Sequence, residues 1–293
     1  MRIHHLDCGP MRPPGGALID GVSPGLVGRL TCHCMAIETD HEGIVLVDTG
    51  LGLRDVERPW PRLPILNAGM LRFRFDPDRT AVRHLQRLGF SPRDVRHIVM
   101  THLDFDHAGG LIDFPEARVH LMEAEAVTAR QRRSVLDRMR YRPAQWGDTS
   151  RWHTYPDRAG GRWFGFDAVV QLDNLPPEIL MVPLPGHTPG HAGVAVEGKH
   201  GWVLHAADTY FNRNEVHPSS PGARVPPLGA LAYERMMARN PDLARANQAR
   251  LRDLIAGREA PMAVFCTHDP VEYVAMTVWS AREAKRLEQP QAA

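Results

Sequence analysis

Four short apolar runs in this chain each end at a residue able to bind a metal, and that pattern points to a site built along one edge of a sheet. Ile98-Val99-Met100 leads into Thr101-His102-Leu103-Asp104-Phe105-Asp106-His107-Ala108-Gly109-Gly110. Ile179-Leu180-Met181-Val182 leads into Leu184-Pro185-Gly186-His187-Thr188-Pro189-Gly190-His191. Trp202 to Ala207 leads to Asp208, and Ala263 to Cys266 leads to Thr267-His268-Asp269. Runs this short are strand-length rather than helix-length. A loop leaving a strand can fold alternate side chains into one cavity, whereas the strand itself sends neighbours to opposite faces. Imidazole nitrogens and carboxylate oxygens are the usual donors to divalent first-row metals, and the density of His and Asp between 102 and 107 suits that use.

Composition narrows the class. With 43% hydrophobic and 24% charged residues over 293 positions, the chain reads as an ordinary globular protein. A net charge of +1 offers no basic surface for nucleic acid or anionic lipid. Lys199 and Lys285 are the only lysines, so arginine carries nearly all the positive charge. No apolar stretch is long enough for a membrane span, and the first residues lack the apolar core of a secretory signal. The cysteines Cys8, Cys32, Cys34 and Cys266 read as free thiols, which fits a cytoplasmic protein. The expected partners are a small-molecule substrate and, at most, a second copy of the chain in a homodimer; neither nucleic acid nor membrane is expected.

Further strands are expected from Leu30 to Glu38, over Ile44-Val45-Leu46-Val47 before Asp48-Thr49-Gly50, and from Val119 to Leu121. Later ones fall at about Glu178–Pro183, Val194–Glu197, Trp202–Leu204 and Ala263–Cys266. A helix with Asp76 as cap and Pro77 in its first turn places Val82, Leu85 and Leu88 on one face and stops at Gly89. Glu123 to about Arg140 reads as one helix, and the aromatic stretch from Arg142 to Phe166 as irregular. Other helices are expected near Leu243–Ala256 and Val271–Leu287, with Gln289 to Ala293 a frayed tail. No Gly/Ser linker divides the chain, so residues 1–293 read as a single domain. It carries excursions at about 53–75 and 123–166 and a helical insertion at about 211–257.

These residues, in this order, resemble the metallo-β-lactamase superfamily of hydrolases. The family's His-x-His-x-Asp-His motif, single His, bridging Asp and final His match His102, Asp104 (a departure), Asp106 with His107, His187, Asp208 and His268. Val47-Asp48-Thr49-Gly50 and Pro185-Gly186-His187-Thr188-Pro189-Gly190-His191 match two further family signatures. The resemblance implies an α/β, four-layer αββα sandwich with a dinuclear metal site at one edge of the two sheets. It implies that His102, Asp104 and His187 hold one divalent ion, that Asp106, His107 and His268 hold another, and that Asp208 bridges them. Zinc is the expected metal. A metal-bridging hydroxide would then attack the substrate carbonyl. Asp48 is expected to accept a hydrogen bond from the ligand loop or a ligand imidazole. Asp106 and Tyr210 are the candidate catalytic residues, Tyr210 as an oxyanion donor because related lactonases place a tyrosine near this point; a core-facing Tyr210 is the alternative. Arg140, Tyr141 and Arg142 are candidates to hold a substrate carboxylate, although an arginine run of this kind is ordinarily a solvated helix face.

Asp104 stands where the family usually has a second histidine, so an anion replaces a neutral ligand. The third carboxylate is expected to favour harder ions such as manganese or iron, to acidify bound water less and to weaken attraction for anionic substrates. The alternative is that Asp104 does not ligate. The resemblance favours hydrolysis of a small ester or lactone. The alternatives are a thioesterase of glyoxalase II type, or a non-hydrolytic diiron redox or metal-binding protein. His191 is expected to orient the ligand loop, and His205 to be a satisfied core histidine. The Cys8–Gly15 segment is expected to cover the site or else to be an ordered terminus.

Overall fold

Period-two alternation along the strands decides which side chains meet. In the computed structural model, residues 1–293 are described except 159, 200, 219–223, 258–259 and 289–293, together with the side chains of 283–288. The tail expected at Gln289–Ala293 therefore lies outside the described residues. One sheet runs in the order β1 (Arg2–Asp7), β2 (His33–Glu38), β3 (Ile44–Val47), β4 (Val95–Val99), β5 (Arg118–Met122), β6 (Trp152–Tyr155). The other contains, in chain order, β7 (Gly161–Trp163), β8 (Phe166–Gln171), β9 (Ile179–Pro183), β10 (Ala192–Gly198), β11 (Gly201–His205) and β12 (Met262–Phe265). The first sheet is antiparallel as far as β3 and parallel beyond it; in the second only β11 and β12 run parallel.

On β2, Met35 and Ile37 face the second sheet and meet Met181, Val194 and Phe265, whereas Cys34 and Ala36 face outward. The outward face of the first sheet packs on Val82 and Leu85 of the helix Ala81–Arg87 and on Ala126 and Ala129 of the helix Glu123–Gln131. The outer face of the second packs on Leu251 of the helix Pro241–Ala256 through Leu184, Leu204 and Val264. Helix, sheet, sheet and helix thus form the expected four layers.

Several boundaries differ from expectation. The strand β1 was not anticipated: its alternation mixes His4 and His5 with Ile3 and Leu6, and it is held by antiparallel pairing with β2. The expected helix from Glu123 to Arg140 breaks at Arg132, whose φ is 41°, and restarts at Val135–Arg140 under a Ser134/Asp137 capping box. The stretch read as irregular supplies β6 and β7, one to each sheet. The excursion after Leu53 holds short helices at Leu53–Glu57, Pro59–Arg62 and Ile65–Leu71. No described helix is long and apolar enough to cross a membrane.

Candidate metal centre

The two sheets are stitched together where their ligand-bearing loops leave. Ala192 N, at the start of β10, donates to Thr101 O just past β4 at 2.9 Å, and His33 N donates to Thr267 O at 3.1 Å. This places the ends of β4, β9, β11 and β12 at one edge. All seven side chains anticipated as ligands converge there, and all are buried.

Asp208 lies at the centre. Its Oδ1 is 3.3 Å from His107 Nε2; its Oδ2 is 3.1 Å from His268 Nε2, 3.6 Å from His187 Nε2 and 3.8 Å from His102 Nε2. Asp104 Oδ2 lies 3.1 Å from His187 Nε2 and 3.7 Å from His102 Nε2, and Asp106 Oδ2 lies 3.8 Å from His268 Nε2. His102, Asp104 and His187 form one group of donors, Asp106, His107 and His268 a second, with Asp208 reaching both. Among the described residues, His102 Nε2, His107 Nε2 and Asp208 Oδ1 are buried with no partner in hydrogen-bond geometry, the 3.3 Å approach of the last two included. Buried polar atoms normally have partners, so orphaned donors aimed at a common centre fit a bound cation. Two of the Nε2 donors have their rings held from behind: His107 Nδ1 lies 2.8 Å from Asp48 Oδ2, and His268 Nδ1 lies 2.8 Å from Thr31 O.

The electrostatics agree. Burial and the neighbouring His107 keep the His102 ring well below its ordinary pKa, so it is a neutral donor. Burial opposes ionisation of Asp208, yet His268 and His107 hold its carboxyl well below the usual carboxylate range. Burial likewise opposes ionisation of Asp104, and Arg140 outweighs it.

Asp48 sits where it was expected. Its Oδ1 accepts from Thr101 N at 2.8 Å and its Oδ2 from Thr101 Oγ1 at 2.7 Å, in addition to the His107 contact. His191 donates through Nδ1 to Leu184 O at 2.9 Å and accepts from Asp208 N at 3.0 Å, so it fixes the loop and the central aspartate without ligating. His205 is buried with Nε2 donating to His33 O at 2.8 Å, a core histidine as expected. The four cysteines are free and buried.

Tyr210 is not brought to the centre. Its phenol donates to the Glu272 carboxyl at 3.0 Å inside the core outside the second sheet. Tyr210 follows the single helical turn Ala207–Thr209 in extended conformation, and its ring is buried with Leu184, Val264 and Cys266 instead of turning to the cluster. The arginine and tyrosine candidates for substrate binding are also placed otherwise. Arg140 is fully buried, with Nη1 donating to His187 O at 3.0 Å and Nη2 to Met237 O at 2.5 Å. Tyr141 is fully buried in the core beneath the first sheet. Arg142 donates through Nε to Arg62 O at 2.9 Å and through Nη2 to Pro61 O, tying down the 53–75 excursion.

Two residues carry weight that the sequence did not signal. Glu125 accepts from Leu103 N at 2.9 Å, Thr188 Oγ1 at 2.6 Å and Gly190 N at 3.3 Å, and so joins two ligand loops. Tyr233, on the helix Leu228–Met237, lines an apolar cavity of roughly 350 Å³ beside the centre with Phe211, Leu30, Met70 and Pro13. Burial raises the Tyr233 pKa, and the nearby carboxylates of Asp106, Asp104 and Asp208 raise it further. Phe211 bridges cavity and centre, its ring 5.0 Å from that of His268 and 5.9 Å from that of Tyr233. Pro13 and Pro14, from the N-terminal segment, form part of the wall of this cavity.

A four-layer sandwich with a buried His/Asp cluster at its sheet edge defines a metal-binding α/β protein of one superfamily type. The sequence signature of the metallo-beta-lactamase superfamily matches residues 27–268, and the chain belongs to that superfamily. It is similar to a protein of Mycobacterium tuberculosis named as a probable metallo-hydrolase, with 39% identity over 93% of this chain and 82% of that one. It is also similar to an N-acyl homoserine lactonase of Bacillus cereus, with 26% identity over 88% of this chain and 91% of the other. A solved N-acyl homoserine lactone hydrolase, with the product N-hexanoyl-L-homoserine at its metal centre, shares the fold. The TM-score is 0.67 at 21% identity, covering 94% of this chain and 95% of that one.

Proposed function

We propose that this protein is a metal-dependent hydrolase of small esters or lactones bearing an apolar acyl group. The observation that carries the reading is the juxtaposition of the orphaned His/Asp donors with a mostly apolar cavity of roughly 350 Å³, a size suited to a small molecule. His102, Asp104 and His187 would hold one divalent ion, and Asp106, His107 and His268 a second, with Asp208 shared; the mixed nitrogen and oxygen set suits zinc. Such ions, when bound, supply a Lewis acid for the carbonyl and lower the pKa of water towards about 7.

The chain's own residues do the rest. Leu30, Met70 and Phe211 exclude water and take the acyl group, which orients the ester towards the donors of the centre. The Tyr233 phenol, kept protonated by burial and by the three carboxylates, donates a hydrogen bond to the carbonyl oxygen as charge builds there. Asp48 and Thr31 hold two imidazoles in register through their Nδ1 atoms.

The test is purification with metal analysis, followed by a screen of lactones, aryl esters, thioesters and phosphodiesters. Lactone or ester hydrolysis that disappears on chelation and returns with zinc is the expected result. Preference for thioesters or phosphodiesters would overturn the substrate class. Dioxygen consumption after iron loading, with no hydrolysis, would overturn the reaction.

A further inference from the structure

We propose that Arg140 is the built-in counter-ion of Asp104, so that the pair takes the place of the neutral histidine usual at this point of the motif. This rests on the reading of Asp104 as a metal ligand. The two oxygens of Asp104 face different partners. Oδ2 points into the centre, 3.1 Å from His187 Nε2, whereas Oδ1 points away from it, 3.5 Å from Arg140 Nε. Neither that oxygen nor that nitrogen has any hydrogen-bond partner among the described residues, and both are buried. A buried unpaired guanidinium is costly, and so is a buried surplus carboxylate; each compensates the other here.

Arg140 is fixed in place by the rest of its fork. Nη1 donates to the carbonyl of His187, itself a member of the centre, and Nη2 to that of Met237. An antiparallel bridge between Asp104 and Tyr141 brings the two chain segments together through the backbone. The guanidinium therefore cannot swing into the cavity without abandoning two buried carbonyls. It restores the net charge that a neutral ligand would leave, so the shift towards manganese or iron expected from a third carboxylate is offset.

The experiment is a double-mutant cycle of Asp104→His and Arg140→Met, with Arg140→Lys as a charge-preserving control. Zinc affinity and stoichiometry are measured on each protein, together with thermal unfolding of the metal-free forms. The hydrogen bonds from Arg140 to His187 and Met237 are lost in both backgrounds and cancel in the cycle. Asp104→His alone is expected to weaken zinc at the affected site at least about tenfold, because it leaves a guanidinium beside the ion. The same change in the Arg140→Met background is expected to stay within about threefold of its parent, and Arg140→Lys to retain full stoichiometry. Equal losses in both backgrounds would overturn the pairing. If wild type binds no metal, the metal-centre reading fails by itself, and the metal-free unfolding cycle still decides the pair: additive midpoint shifts would overturn it, and non-additive shifts uphold it.

Discussion

Asp48 Oδ2 lies 2.8 Å from His107 Nδ1, and this single contact joins the end of β3 to the ligand-bearing loop after β4. The Asp48 backbone is in the left-handed region with φ 56°, a conformation that Asp and Asn tolerate better than most residues. Its two oxygens also hold the backbone and hydroxyl of Thr101, at the root of the loop. Asp48→Asn keeps the backbone preference and removes the charge. Metal affinity or kcat/KM is expected to fall about 10–100-fold, as for other partners of ligating histidines, with the fold intact by circular dichroism. Unchanged metal titration would contradict this role.

The two tyrosines should separate cleanly. Tyr210→Phe removes a donor to the buried Glu272 carboxyl, so it should cost about 1–3 kcal/mol of stability while leaving kcat/KM within about threefold. Tyr233→Phe should leave the unfolding midpoint nearly unchanged and lower kcat at least about tenfold, since Tyr233 lines the cavity proposed to take the substrate. Reversal of this pattern in a side-by-side assay would exchange their roles.

Glu272 provides a pH dependence of stability. Burial, with Asp269 nearby, raises its pKa to about 8 from an ordinary carboxylate value of 4.5. A raised carboxyl pKa means the folded state holds its proton more tightly than the unfolded chain. The resulting stabilisation is fully present below about pH 4.5 and is lost as pH rises through about 8. Glu272→Gln should therefore flatten the fall in unfolding midpoint of the metal-free protein across that window. Parallel curves for wild type and variant would show that Glu272 is ionised throughout.

Gly190 is needed for close approach. A Cβ at this position would lie 2.1 Å from Glu125 N, a backbone atom that cannot yield without moving the helix Glu123–Gln131. Since Glu125 joins the loops bearing Asp104 and His187, Gly190→Ala should cost about 1–3 kcal/mol and reduce bound metal at the same time. Loss of stability with full metal content would confine the effect to packing.

The set of side chains that converge was legible in the sequence for a simple reason: the His and Asp within 102–107 are locally clustered, and each group follows an apolar run that a strand must bury. The layering of the fold was legible on the same grounds, because β2, β4, β9 and β10 carry their own hydrophobic pattern. The course of residues 123–166 was less so. The Ser134/Asp137 capping box was present as a signal for the break before Arg140, but the run of arginines around it looked like a solvated face. β6 and β7 belong to different sheets through pairings that no local pattern records.

The amino-acid order alone determined which donors exist and that they leave their strands at corresponding points. The tertiary structure alone decided where the supporting side chains turn. Arg140, read as a substrate clamp, is folded under the centre against Asp104, and Tyr210 faces the core. Tyr233, 25 residues or more from each candidate ligand, reaches the cavity from the helix Leu228–Met237. Strand periodicity and metal chemistry act over a few residues and can be read along the chain. The pairing of a buried charge and the choice of cavity wall depend on elements far apart in sequence, and only packing brings these together.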